Sequence, residues 1–411
     1  MGNKVATLSF DDRPANAGLS LWFIFAVCFL ETVAGGSAAT LLSTYLPSIT
    51  RDLPGIRPER LSGVSALINA VFLAGWTIGG FTWGLVCDKI GRTRSLSLAV
   101  GMVGAFTVLA TLFPHWETLF LFRFLSGFGV GGTLVIATIF LSEIWPEKSR
   151  AIFIGLLSIG FPVGIFSTGA IVYLIADWKQ GFLTGILPLI LSLVTWFMFS
   201  ESERWKQAGL EPGNRQMVWQ IMEHRKDIVT GSVIFGAMLI GLWALFMWIP
   251  TWVQSLVTDG TGREKGGMSM MLLGIGGLSG GAVSGWIFRS LGPRKAMTIC
   301  FMACFVLSLI LFGLNDHLTW LMLAEIALLA FVFGISQGML SVYIPLLFPP
   351  SIRGTATGVC FNTGRVLTTA AVFFVGALVG FFGGYGNSLL AFSFVFLIGL
   401  FFIFLTPAKR I

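Results

Sequence analysis

Gly84-Leu85-Val86-Cys87-Asp88-Lys89-Ile90-Gly91-Arg92-Thr93-Arg94 is a short charged turn between two long apolar runs. It returns later as Gly285-Trp286-Ile287-Phe288-Arg289-Ser290-Leu291-Gly292-Pro293-Arg294-Lys295. The offset, 285 − 84 = 201, is close to half of the 411 residues. Other features repeat at nearly the same distance: Pro146 and Arg150 align with Pro349 and Arg353, and His115 aligns with His317. A glycine-and-arginine turn found once per half, each time between apolar segments, predicts two copies of one membrane unit.

The composition agrees. Hydrophobic residues make up 55% of the chain and charged residues 11%, with mean hydropathy +0.86. About a quarter of a soluble domain is charged, so this chain cannot cover itself for water and reads as an integral membrane protein. The net charge of +7 lies in turns between apolar runs. A nucleic-acid reader gathers its charge on one face or stripe, so no nucleic-acid partner is expected. Cys28, Cys87, Cys300, Cys304 and Cys360 fall in or beside apolar runs without paired or ligand spacing. Neither a disulfide framework nor a metal site is expected, and no cofactor is implied. Residues 1–18 are polar, and Ala6 stands where a myristoylation signal has Ser or Thr.

A span needs roughly 20 mainly apolar residues. Twelve runs qualify, near 20–46, 61–85, 95–113, 118–141, 151–175, 181–200, 229–256, 268–288, 296–314, 319–346, 355–382 and 387–405. An even number puts both termini on one side. Turns and tails on that side hold eighteen Lys and Arg residues against six opposite, which predicts cytoplasmic termini in a plasma membrane, the inner one in a bacterium. The polar connection 201–228 divides an N-terminal half, 1–200, from a C-terminal half, 229–411. Six spans separate the copies, so both enter from the same side and the repeat axis runs along the membrane normal. Glycine pairs at helical spacing, including Gly75/Gly79, Gly80/Gly84, Gly127/Gly131 and Gly277/Gly281/Gly285, favour close helix contact.

The charged turn and its echo resemble the loop 2–3 and loop 8–9 signatures of the major facilitator superfamily. Arg123-Phe-Leu-Ser-Gly127-Phe-Gly129 is similar to that family's fourth-helix motif, and Glu143-x-x-Pro146-x-x-x-Arg150 to its loop 4–5 motif. Phe348-Pro-Pro-Ser-Ile-Arg353-Gly, running on to Asn362-Thr-Gly364-Arg365, looks like the tenth-to-eleventh-helix region. That form is typical of the branch with aromatic-acid/proton symporters, sialate- and lactate-type permeases and sugar porters. Glu201-Ser-Glu-Arg204-Trp205 is similar to the end of the sixth helix in sugar porters. The aromatic-acid symporters carry Asp-Gly-x-Asp in the first helix, where this chain has Glu31-Thr-Val-Ala-Gly-Gly; Leu346 replaces the acid expected opposite Glu143. The resemblance implies an all-α fold of two pseudo-symmetric six-helix bundles. It also implies that Asp88, Arg92, Glu143, Arg150, Arg289, Arg294 and Arg353 act as conformational switch residues; the alternative is that they are ordinary topology charges.

Four ionisable residues lie well inside spans: Glu31, Arg123, Glu325 and Arg365. Charges at such depth are functional candidates by default. At ~1.5 Å of rise per residue, Glu31 and Arg365 reach about 15 Å down, near the midplane of a core about 30 Å thick. Arg365 shares a polar stripe with Asn362 and Thr369, and its planar fork suits a carboxylate or phosphate. It is a substrate ligand, a structural partner of Glu31, or a lipid-edge snorkeller. Burial favours the neutral form of a carboxylate, which makes Glu31 the candidate proton carrier; the alternative is a fixed charge partner of Arg123 or Arg365. Glu325 is a second coupling candidate, or a bridge to Arg123. Arg123, Ser336, Gln337 and Tyr343 complete the expected substrate-binding set.

The expected function is secondary transport: proton-coupled uptake of a small organic anion, a carboxylate, by a monomer working through alternating access. Efflux antiport is the alternative on the same fold, and a non-transporting receptor or scaffold is the alternative of another class. The chain shows neither a nucleophile–base constellation nor a Gly-x-x-x-x-Gly-Lys-Ser/Thr phosphate loop, so an enzyme is not expected.

Overall fold

The computed structural model describes residues 19–52, 61–113, 115–208, 223–349 and 353–406. The described residues hold twelve helices long and apolar enough to cross a membrane. They are α1 Leu21–Asp52, α2 Leu61–Ile90, α3 Arg92–Leu112, α4 Trp116–Ile144, α5 Glu147–Leu174, α6 Trp178–Met198, α7 Arg225–Ser255, α8 Gly262–Leu291, α9 Pro293–Leu314, α10 Trp320–Leu346, α11 Arg353–Ala377 and α12 Tyr385–Leu405. Lipid offers no partner for backbone polar groups, so an apolar run of this length closes its own hydrogen bonds as a helix. Each expected span is present. Several helices extend past their apolar runs, as α1 does to Asp52 with Pro47 inside its last turns. α6 is interrupted by a tighter turn at Leu183–Gly185.

The repeated charged turn has a simple origin. A single residue, Gly91, separates α2 from α3, and a single residue, Gly292, separates α8 from α9. Both adopt positive φ, 103° and 74°, a conformation glycine enters without steric penalty. Pro293 then opens α9 at its first position, where a missing N–H is harmless.

Helix contacts repeat with a shift of six. α1 packs on α5 as α7 does on α11, α2 on α4 as α8 on α10, and α3 on α6 as α9 on α12. Between the two six-helix bundles, α5 meets α8 and α11 meets α2, while α1 meets α7. The first two contacts exchange under a two-fold axis, and the third lies on it, so the bundles are pseudo-symmetric. Small residues set the tightest pairs. A Cβ at Gly79 would fall on the Phe128 carbonyl of α4, and one at Gly280 on the Phe331 carbonyl of α10, so the backbones of each pair are in direct contact.

Candidate functional site

Arg365 lies on α11 at the seam with α2. Its Nη1 donates to Asn362 Oδ1 at 3.2 Å, one turn back on the same helix. Gly80 of α2 faces the pair: a Cβ there would sit 3.5 Å from Arg365 Nη1 and 3.7 Å from Asn362 Oδ1. The absent side chain leaves room for the guanidinium. A small crevice beside Arg365 is lined by Leu73, Trp76 and Thr77 of α2, Leu239 and Trp243 of α7, and Thr368. Trp76 and Trp243 meet edge to face at 5.0 Å, and Phe161 of α5 lies 5.4 Å from Trp76 and 6.0 Å from Trp243. α2 and α7 thus each bring a tryptophan to the crevice beside this cation, and Phe161 packs on both rings. Among the described residues no carboxylate lies within ion-pair distance of Arg365.

Glu31 is fully enclosed in the first bundle. Thr195 Oγ1 of α6 donates to its Oε1 at 2.6 Å, and Oε2 has no partner. Arg123 is buried in the same bundle, two helical turns away along α1. Its Nη1 donates to the Ala38 carbonyl at 2.9 Å, and the guanidinium lies 4.0 Å from the Phe72 ring centre. Nε and Nη2 of Arg123 are without partners among the described residues. The interior ion pairs weighed for Glu31, Arg123 and Arg365 do not form among the described residues.

The remaining substrate-binding expectations are not gathered at Arg365. Ser336 is buried and donates to the Phe333 carbonyl. Gln337 is half-buried with an unpartnered amide nitrogen. Tyr343 is fully buried in the second bundle's core. None of the three lines the crevice. Glu325 takes a 2.8 Å bond from Asn315 Nδ2, whose amide also caps the Leu311 carbonyl. It ties the end of α9 to α10.

Three switch candidates meet at the face that carries the start of α1 and the end of α12, here the terminal face. Arg92 donates through Nη1 to Asp88 at 2.9 Å and through Nε to Glu143 at 3.1 Å. The sequence reading did not assign a role to Glu201, the residue that organises this cluster. Its carboxylate accepts from the backbone N–H of Arg92 at 2.7 Å and of Thr93 at 2.9 Å, and from the Thr93 hydroxyl. An anion so placed satisfies donors that a helix start leaves free. Ser202 donates to Glu143, and Trp205 Nε1 to the Asp88 carbonyl. Arg150 instead caps the Trp145 carbonyl. In the second bundle Arg294 reaches the Phe404 carbonyl, and Arg289 is exposed. The side chain of Arg353 lies outside the described residues.

The seam is closed on one side of Arg365 and open on the other. Toward the face opposite the termini, Gln254 Nε2 of α7 donates to the Thr44 carbonyl at 2.9 Å, and Phe166 of α5 packs on Gly274 of α8. Toward the terminal face, Cβ atoms at Gly84, Gly155, Gly285 and Gly358 would meet nothing within 4 Å. Each shares a helix face with a seam residue two or three turns away: Gly84 with Leu73, Gly155 with Phe166, Gly285 with Gly274, and Gly358 with Arg365. Arg365 therefore lies between the sealed end of the seam and an end toward the terminal face where these four positions meet no neighbouring atom, beside the crevice lined by Trp76 and Trp243.

Residues 24–371 match the Major Facilitator Superfamily. The chain is 25% identical over 397 residues to the cis,cis-muconate transport protein of Acinetobacter baylyi, covering 92% of this chain and 91% of that one. It is 26% identical over 406 residues to a probable 4-methylmuconolactone transporter of Cupriavidus pinatubonensis, with 94% and 90% covered. Its fold is similar to that of the D-xylose-proton symporter, at TM-score 0.76 and 16% identity over 95% of this chain and 99% of that one. With twelve spans in two pseudo-symmetric bundles and a family match across most of its length, the chain is a multi-pass membrane transporter that belongs to the Major Facilitator Superfamily.

Proposed function

We propose that the chain takes up a small planar carboxylate together with protons, by alternating access. The observation that carries this reading is Arg365: a deep guanidinium with no acid partner among the described residues, flanked by Asn362 and set in a crevice lined by Trp76 and Trp243. A carboxylate supplies the missing charge through the two-pronged geometry that arginine favours. The rings offer flat apolar surface to the rest of the molecule. The names of the muconate and methylmuconolactone transporters point to the same class of cargo.

Glu31 is the proposed proton carrier, since its buried carboxylate takes only the Thr195 hydroxyl and faces no cation among the described residues. The moving parts are the halves 1–200 and 229–411, joined through 201–228. The Lys and Arg excess supports cytoplasmic termini, which makes the described state open to the cytoplasm. We place the protein in a bacterial inner membrane as a monomer.

Proteoliposomes containing the purified chain should accumulate labelled cis,cis-muconate or benzoate when the outside is acidified. Accumulation that is indifferent to the proton gradient would remove the coupling. Uptake by Arg365→Ala at the parent's rate would remove the ligand assignment.

A further inference from the structure

We propose that Arg263 is a gate residue of the transport cycle, holding the face opposite the termini shut by capping the end of α5 from across the seam. The last carbonyls of a helix have no donor within it, and α5 ends at Leu174. Arg263 stands in the first turn of α8, in the other bundle. Its Nη1 donates to the carbonyls of Val172, of Tyr173 at 3.1 Å and of Ile175 at 3.2 Å. The Tyr45 hydroxyl of α1 adds a 2.8 Å bond to the Ile175 carbonyl. A cation also suits the negative end of the helix dipole.

Two glycines bring the arginine there. Gly267 lies one turn after Arg263, and Gly169 one turn before Tyr173. A Cβ on either would fall on the other's carbonyl oxygen, so α5 and α8 touch backbone to backbone beside the latch. None of the arginine's bonds to α5 survives separation of the two helices. They therefore stabilise only states closed on this face, and their loss favours the state open on it. Lysine keeps the charge and loses the planar fork, so it retains part of the effect. This inference rests on the alternating-access reading but not on the identity of the cargo.

The test uses the full chain in proteoliposomes, with single reporter cysteines at Ser43→Cys, a buried position on the sealed seam whose carbonyl accepts from Thr251 of α7, and Gly84→Cys, on the open seam. Labelling by a maleimide is corrected for the buried native cysteines. Arg263→Ala is expected to raise the Ser43→Cys rate and lower the Gly84→Cys rate, shifting their ratio about tenfold, the size expected for lost charge-assisted hydrogen bonds. Arg263→Lys should fall between. Rates unchanged in Arg263→Ala overturn the proposal, and so do two rates that rise together, which report general loosening. Should Arg263→Ala not be recovered folded, Arg263→Gln and Arg263→Lys carry the same comparison. Labelling needs no substrate, so the result stands apart from the fate of the carboxylate assignment.

Discussion

At the scale of single residues, the proposed roles fall on charges held away from water. Arg365→Ala should cut carboxylate uptake more than about 10²-fold, because a buried charge-assisted pair is lost and nothing replaces it; initial rates in proteoliposomes check this. Glu31→Gln keeps the shape and the bond to Thr195 but not the titrating proton. It should keep exchange of labelled for unlabelled substrate and lose accumulation driven by a pH gradient. Gly80→Ala should be tolerated, since its Cβ contacts of 3.5 Å and beyond are ordinary. Gly80→Leu should raise KM by crowding Arg365. The link between Arg365 and Asn362 was legible because helical periodicity puts residues three apart on one face. Trp76 and Gly80 were not assigned to the site, because they come from another helix and nothing local marks which face of α2 meets α11. Ser336 and Tyr343 were expected in the site from α10's periodicity alone, which fixes a face but not the helix it packs against.

At the scale of elements, the repeated turn is explained by one glycine at positive φ between two helices, once per bundle. Among the described residues only the first copy has a carboxylate cluster built on it. Glu201→Ala should lower the apparent Tm in detergent, at a cost of roughly 1–3 kcal/mol for the α3 donors and the Thr93 hydroxyl it leaves unpaired. Helix packing gives a sharper contrast. Gly79→Val drives a side chain into the Phe128 carbonyl and should destabilise the fold by about 1–3 kcal/mol. Gly84→Val, one turn on and facing open space, should leave the melting temperature near that of the parent. The two glycines look alike in sequence. What separates them is the distance to the neighbouring helix, which local sequence does not encode.

At the scale of the whole molecule, the bundles touch along three helix pairs, and contact fades on one side of Arg365. A short bis-maleimide joining Thr44→Cys to Gln254→Cys, on the sealed side, should abolish net transport while leaving the end of the seam toward the terminal face accessible. Labelling at Gly84→Cys after cross-linking tests the second half of that statement. Twelve spans, the parallel repeat and the transporter family were determined by the sequence itself. Lipid enforces long apolar runs, and a duplicated unit keeps its turn chemistry at a constant offset. Which charges stay unpaired, which aromatic rings reach Arg365 and which end of the seam is shut were decided only by the tertiary structure. Those depend on the rotation and spacing of helices far apart in the chain, and such contacts leave no periodic mark within any one of them.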